Sequence, residues 1–194
     1  MRKLLCFLLA LLCAFLLCAC DVGGNSDSTV TTVKPPKIAE KITIGYNTDG
    51  TPKIITDTDL NELLKYDEIH NLVLANYEGN DLSILKQVRG LHGLKLQSME
   101  NLTDLSFLTE LKELKSLMIY DLSDEFTDIS VLSKLVWLEK LSVNNISVDD
   151  FSPLYSLTQL KSLDLTSTAL TQAQYDALKA ALPDCNIKNV TIYE

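Results

Sequence analysis

Cysteine is scarce where a folded body would need it. Of the five cysteines, Cys6, Cys13, Cys18 and Cys20 lie at the N-terminal end, and Cys185 stands alone in the remainder. A lone cysteine cannot form an internal disulfide, so a continuous apolar core must stabilise the body. Basic residues are also in short supply: 17 Lys and Arg against 26 Asp and Glu give a formal net charge of -9. That balance excludes a basic groove for nucleic acid. Histidine is limited to His70 and His92, and tryptophan to Trp137. A Gly-rich phosphate loop, a metalloprotease helix motif and a nucleophile elbow are all missing. No catalytic residue, cofactor or metal is therefore assigned, and the chain is not expected to be an enzyme.

What is present begins with an address. Met1, Arg2 and Lys3 form a short positive start, Leu4 to Leu17 is apolar throughout, and Leu17-Cys18-Ala19-Cys20 follows. This is the layout of a secretory signal over residues 1–19, too short and abruptly ended for a comfortable membrane span. Those four residues resemble the lipobox of bacterial lipoproteins. The resemblance implies cleavage before Cys20, acylation of Cys20, and an extracytoplasmic protein anchored to the membrane by that lipid, at the cell surface if the cell has one membrane. The plainer alternative is a signal peptide followed by a coincidental cysteine. Cleavage would remove Arg2 and Lys3 but no acid, leaving the rest two charges more negative than -9. Such a body would stand off an anionic membrane, so the lipid must hold it there. Residues 20–36 contain Gly23, Gly24, Ser26, Ser28, Pro35 and Pro36. They read as a lipidated flexible tether with a reach on the order of 20 Å.

The body is periodic. The pattern Leu-x-x-Leu-x-Leu recurs at Ile69/Leu72/Leu74, Leu91/Leu94/Leu96, Leu114/Leu117/Ile119, Leu138/Leu141/Val143 and Leu160/Leu163/Leu165. Its central leucines are 22, 23, 24 and 22 residues apart, which is no coiled-coil period. A second phrase, Asp-x-Ser-x-Leu, begins at Asp81, Asp104, Asp128 and Asp150. Leu-x-Leu is a short strand with two inward leucines and one outward residue between them. Asp and Ser can bond nearby backbone amides and so turn the chain into a short helix or 3-10 return leg. No coil buries its leucines alone, but five stacked coils can.

These residues resemble the leucine-rich-repeat family, and within it the 22-residue class of the bacterial internalins, over roughly residues 60–194. The resemblance implies an α/β solenoid with a curved parallel sheet on its concave side and short helices or 3-10 turns on its convex side. It also implies binding to another protein, in adhesion or in host or cell-surface contact. The alternative is a structural scaffold docking other cell-envelope proteins. One departure stands out. The family places Asn at the ninth position, where this chain has Tyr77, Met99, Leu122, Ile146 and Thr168, so that corner is expected to be packed largely by apolar groups.

An open solenoid exposes core and strand edges, so both ends need caps. Residues 37–66 are expected to form an N-terminal cap, with a hairpin from Lys41–Tyr46 and Lys53–Thr56 around a turn at Asn47–Thr51. A short helix capped by Asp59 and Glu62 follows. The repeats occupy 67–170. Residues 171–194 form a C-terminal cap repeat whose helix starts at a Thr171/Gln174 capping box and stops at Pro183. Cys185 and Ile187 are read into the Leu-x-Leu slot 22 residues after Leu163 and Leu165, with Cys185 as apolar filler.

The candidate partner-binding surface follows from the outward strand residues. One row is Val73, Lys95, Met118, Ser142 and Asp164, and the next is Ala75, Gln97, Tyr120, Asn144 and Thr166. Met118 and Tyr120 give it its largest apolar and aromatic groups. Trp137 occupies a slot that other coils fill with polar or small residues, so it either joins the binding surface or folds over a neighbouring coil. His70 and His92 share one repeat slot and should lie about 5 Å apart. The slot continues as Lys115, Glu139 and Lys161, which favours solvated surface over a metal pair or a pH-sensitive contact. Asp121/Asp124/Glu125 and Asp149/Asp150 lack the spacing of a calcium loop. The Asn-x-Ser/Thr triplets at Asn101, Asn145 and Asn189 are taken as coincidence beside a bacterial signal.

Overall fold

Successive Leu-x-Leu segments pair side by side in a parallel sheet, and the chain between them returns along the opposite face. The computed structural model describes residues 34–122, 127–145 and 148–193. The signal, Cys20 and nearly all of the tether lie outside the described residues, as do Asp124, Glu125 and Ile146. The strands are β1 (Ile38–Ala39), β2 (Ile42–Ile44), β3 (Glu68–Ile69), β4 (Asn71–Ala75), β5 (Gly93–Met99), β6 (Ser116–Leu122), β7 (Lys140–Asn144), β8 (Ser162–Thr171) and β9 (Asn186–Tyr193). A seven-stranded sheet runs β2-β4-β5-β6-β7-β8-β9, every pair parallel, and β1 pairs only with β3. All of these belong to one compact unit, Pro35–Glu194.

The register explains why the period works. Ile42, Leu72, Leu94, Leu117, Leu141, Leu163 and Ile187 face one another along the sheet. The five leucines of this ladder are at most 2% exposed. Each coil presents the same inward pair, so stacking buries a row that no single coil could bury. The return legs are 3-10 turns at Ser83–Gln87, Ser106–Glu110, Ser130–Lys134 and Ser152–Ser156. The Asp before each turn accepts the backbone N–H of the Ser at 2.7–2.8 Å. The following Leu85, Leu108, Leu132 and Leu154 are buried.

At the far end of each strand one residue has a left-handed backbone: Asn76, Ser98, Asp121, Asn145, Ser167 and Asn189, with φ of 49 to 58°. Short polar side chains tolerate that conformation better than branched ones. The next residue then turns inward, so Tyr77, Met99, Leu122 and Thr168 are all buried. Amide bonding along this corner comes from one position earlier than in the internalin pattern. Asn76 Nδ2 donates to the Gly45 carbonyl at 2.8 Å, and Asn145 Nδ2 to Asp121 Oδ1 at 3.0 Å.

The ends hold two surprises. The N-terminal turn is there: Gly50 N–H donates to Asn47 O, and Tyr46 bridges antiparallel to Pro52. Its first leg, however, is β2, which pairs parallel with β4 and so becomes the first strand of the sheet. The second leg reaches the sheet only through a parallel bridge from Ile55 to Tyr77. The helix after it is α1 (Asp57–Leu60), continued as a 3-10 turn over Asn61–Lys65. Its cap is Thr56 with Asp59, whose Oδ2 accepts Thr56 N–H at 3.0 Å. That is three residues before the expected Asp59/Glu62 cap, because Thr56 is the last extended residue and an N-cap must be extended.

At the C-terminus, α2 (Gln172–Ala181) starts at the expected capping box, with Gln174 N–H donating to Thr171 Oγ1 at 3.2 Å. Cys185 is buried as expected, but Ile187, not Cys185, faces Leu163. The offset is 24 residues there and returns to 22 at Thr168/Val190, through a register shift between Asp164 and Thr168. Asp164 holds this bulge. Its Oδ1 accepts Thr166 N–H at 3.1 Å, Thr166 Oγ1 at 2.7 Å and Asn189 Nδ2 at 3.1 Å.

Candidate functional site: the outward face of the repeat sheet

In a parallel sheet of identical register, every second residue of each strand joins a row on the outer face. Here one row runs Thr43, Val73, Lys95, Met118, Ser142, Asp164, Lys188. The next holds Ala75, Gln97, Tyr120 and Asn144. Thr166 does not continue it as expected, because β7 and β8 pair only as far as Ser142/Asp164 and Thr166 belongs to the bulge.

Met118 is the exposed apolar centre of the face, at 38%. Tyr120 beside it is half-buried and braced from both sides. Lys95 Nζ lies 4.9 Å above its ring, a cation–π contact, and its hydroxyl is 3.4 Å from Ser142 Oγ. Ser142 in turn donates to Asn144 Oδ1 at 3.2 Å. Ser142 and Asn144 point outward but are buried, contrary to their expected role as exposed contact residues. Their side chains are short and stand between the longer Met118 and Tyr120 on one side and the Asp164 strand on the other. They form a polar floor that positions Tyr120.

Charge is arranged around this centre. Lys95 stands on one flank, and Asp164 with Lys188 on the other, 3.9 Å apart. Burial pushes the Asp164 carboxyl up, but the bonds from Thr166 and Asn189 outweigh it and hold the group below the usual carboxylate range. Gln97 Oε1 accepts a hydrogen bond from Tyr46 at 3.1 Å. Sequence reasoning missed Thr43, Tyr46 and Lys188, because β2 and β9 lack the full leucine phrase and were read as caps.

Trp137 lies outside these rows, on the segment between the third return leg, Ser130–Lys134, and β7. It is half-buried and packs against the core, with Lys112 Nζ 4.5 Å over its ring and its Nε1 shielded without a hydrogen-bond partner. The exposed apolar residue of that segment is Val136, at 46%. The two histidine rings are 5.5 Å apart, edge to face. Among the described residues no three His, Cys, Asp or Glu side chains are grouped to hold a metal ion, and no helix is long and apolar enough to cross a membrane.

The chain matches no family model and no curated protein sequence. Its fold is similar to solved structures from Listeria monocytogenes str. 4b F2365. With internalin C2 it shares 26% identity at a TM-score of 0.52, over 65% of this chain and 54% of that one. With the internalin inlF it shares 19% identity at a TM-score of 0.48, over 65% of this chain and 43% of that one. This fold is an internalin-like leucine-rich-repeat solenoid. The chain spans about half the length of the internalins it matches. The repeat sheet and its 3-10 return legs are the elements that make up this fold.

Proposed function

We propose that this chain is a protein-binding module, displayed outside the cytoplasm and held to the membrane by a lipid on Cys20. Its partner docks on the outward face around Met118 and Tyr120. The observation that carries this reading is an exposed methionine beside a tyrosine whose orientation is set by Lys95 and by a buried Ser142–Asn144 floor. Such a ring loses little conformational freedom on binding, and aromatic anchors supported in this way dominate interface energies. The flanking Lys95, Asp164 and Lys188 would supply register and partner discrimination. The likeness to internalin C2 supports the same reading. An adhesive role at the cell surface is its natural setting.

The test uses the double variant Met118→Ala, Tyr120→Ala beside the wild type, both immobilised through the N-terminal segment. A partner retained by the wild type and lost by the variant, at unchanged melting temperature, supports the site. Equal retention by both refutes it. Lipidation is tested separately by mass spectrometry of membrane-extracted protein. An acylated N-terminal Cys20 peptide is expected, and a soluble mature form starting elsewhere would overturn the anchor.

A further inference from the structure

We propose that His70 is the closing element of a proton-operated latch that fastens the strap Lys37–Glu40 to the first repeat coil. Beyond this contact the strap is held by a few hydrogen bonds and by the Lys37 ammonium, 3.9 Å over the Tyr66 ring. β1 pairs with β3 through two residues each, Ile38 with Glu68 and Ala39 with Ile69, and Ile38 is 48% exposed. The backbone contributes Asp67 N–H to Lys37 O and His70 N–H to Ala39 O, both at 2.9 Å. Lys37 N–H donates to Asp67 Oδ2 at 2.6 Å, and Asn71 Nδ2 to Glu40 O at 3.0 Å. Little apolar surface secures these bonds, so side-chain charge weighs heavily on whether the strap stays down.

His70 sits between two carboxylates from different segments. Its Nδ1 is 3.2 Å from Glu40 Oε2, at the end of the strap, and its Nε2 is 3.6 Å from Glu68 Oε2, on β3. An ionised carboxylate only accepts hydrogen bonds, and a neutral imidazole carries a single N–H. The neutral ring must therefore turn a lone pair toward one of the two carboxylates, whereas the imidazolium donates to Glu40 and faces Glu68 as an ion pair at 3.6 Å. Losing the proton removes the positive charge that holds the two carboxylates together, and the strap keeps at most the single neutral bond from Nδ1 to Glu40.

The surroundings favour the proton. The bond to Glu40 raises His70 above the ordinary histidine value of 6.5, burial opposes, and Glu68 adds to the rise. His92 is the other titratable neighbour, edge-on at 5.5 Å, and its own Nε2 lies 4.0 Å from Glu113. Gly90 packs against the ring edge and brings no charge. Lys41 follows Glu40 in the chain and the Arg89 carbonyl accepts Ile69 N–H at 2.9 Å, but among the described residues neither side chain forms an ion pair with Glu40 or Glu68. A metal is a poor substitute, since both ring nitrogens already face carboxylates and no three-donor group exists among the described residues.

The direction follows from the raised value. The latch is fully closed below the ordinary histidine value and is lost as pH rises through the raised one. The strap is where the chain enters the repeat body, so the latch sets how firmly that entry point is fixed.

The test is made on the purified full-length protein. Proton NMR follows the His70 C2–H titration, and hydrogen exchange follows the Asp67 and His70 amides, corrected for intrinsic rates. The His70 midpoint should lie above the ordinary value, and Glu40→Gln should lower it. Protection of the two amides should fall about two- to fivefold from about pH 5.5 to about pH 8, the span that exposed ion pairs deliver. That fall should disappear in Glu40→Gln and persist in His92→Gln. The Glu40 side chain is 85% exposed, so its substitution leaves the fold intact. A wild-type midpoint at or below the ordinary value, or a fall in protection that Glu40→Gln leaves unchanged, overturns the latch.

Discussion

Replacing Leu117 with Ala, and its neighbour Met118 with Ala, separates the two faces of the sheet by energy. Leu117 is 0% exposed and stacks between Leu94 and Leu141 of the adjoining coils. Truncation removes three carbons, worth about 2.4 kcal/mol at about 0.8 kcal/mol per buried methylene. Neighbours in a packed core relax only in part, and the remaining void adds up to about 1.5 kcal/mol. The expected cost is about 2.5–4 kcal/mol. Met118 is 38% exposed on the outer face, so its truncation should cost below about 1 kcal/mol. Urea unfolding followed by circular dichroism reads both values. Leu117→Ala should lower the midpoint with an unchanged slope, because adjoining coils share one core and unfold together. Equal costs at the two positions, or a second transition in Leu117→Ala, would refute the inward ladder and its cooperativity.

Further outcomes follow from single residues. Asp164→Ala frees Thr166 and Asn189 at the bulge, so stability should drop by about 1–2 kcal/mol and amide exchange in β8 and β9 should quicken. Because the Asp164 carboxyl is held below the usual carboxylate range, its contribution is present above the unfolded value and is lost as pH falls through the native one. The acid arm of a stability profile should therefore flatten in Asp164→Ala. Trp137→Ala should lower stability by about 1–3 kcal/mol and leave partner binding unchanged, since the ring covers core beneath Lys112. Unchanged stability with lost binding would return Trp137 to the interface. Burial raises the Cys185 thiol, so alkylation near pH 8 should be slow in the native protein and complete in urea.

Repetition made most of the architecture legible. A phrase that returns every 22 to 24 residues states which leucines face in, and the Asp that opens each return leg accepts the amide of the Ser two residues on. Both are local facts, carried by short stretches of chain, and the sheet register follows from them because equivalent residues must stack. The outer face was legible as rows for the same reason, with Met118 and Tyr120 two residues apart on one strand of it.

Other features depend on residues that meet only in space. Ser142 and Asn144 alternate correctly, yet the size of their neighbours across the sheet buries them, and no pattern within β7 records that. The 24-residue offset at β9 arises because Asp164 gathers Thr166 from its own strand and Asn189 from the next. β2 enters the sheet without a leucine phrase, since Ile42 and Ile44 need only fit the exposed end of a ladder already built. His70 faces Glu40 across 30 residues of chain. Periodicity follows from covalent order and the geometry of one coil. Burial, register shifts and charge pairing follow from which side chains share a neighbourhood after the coils have stacked.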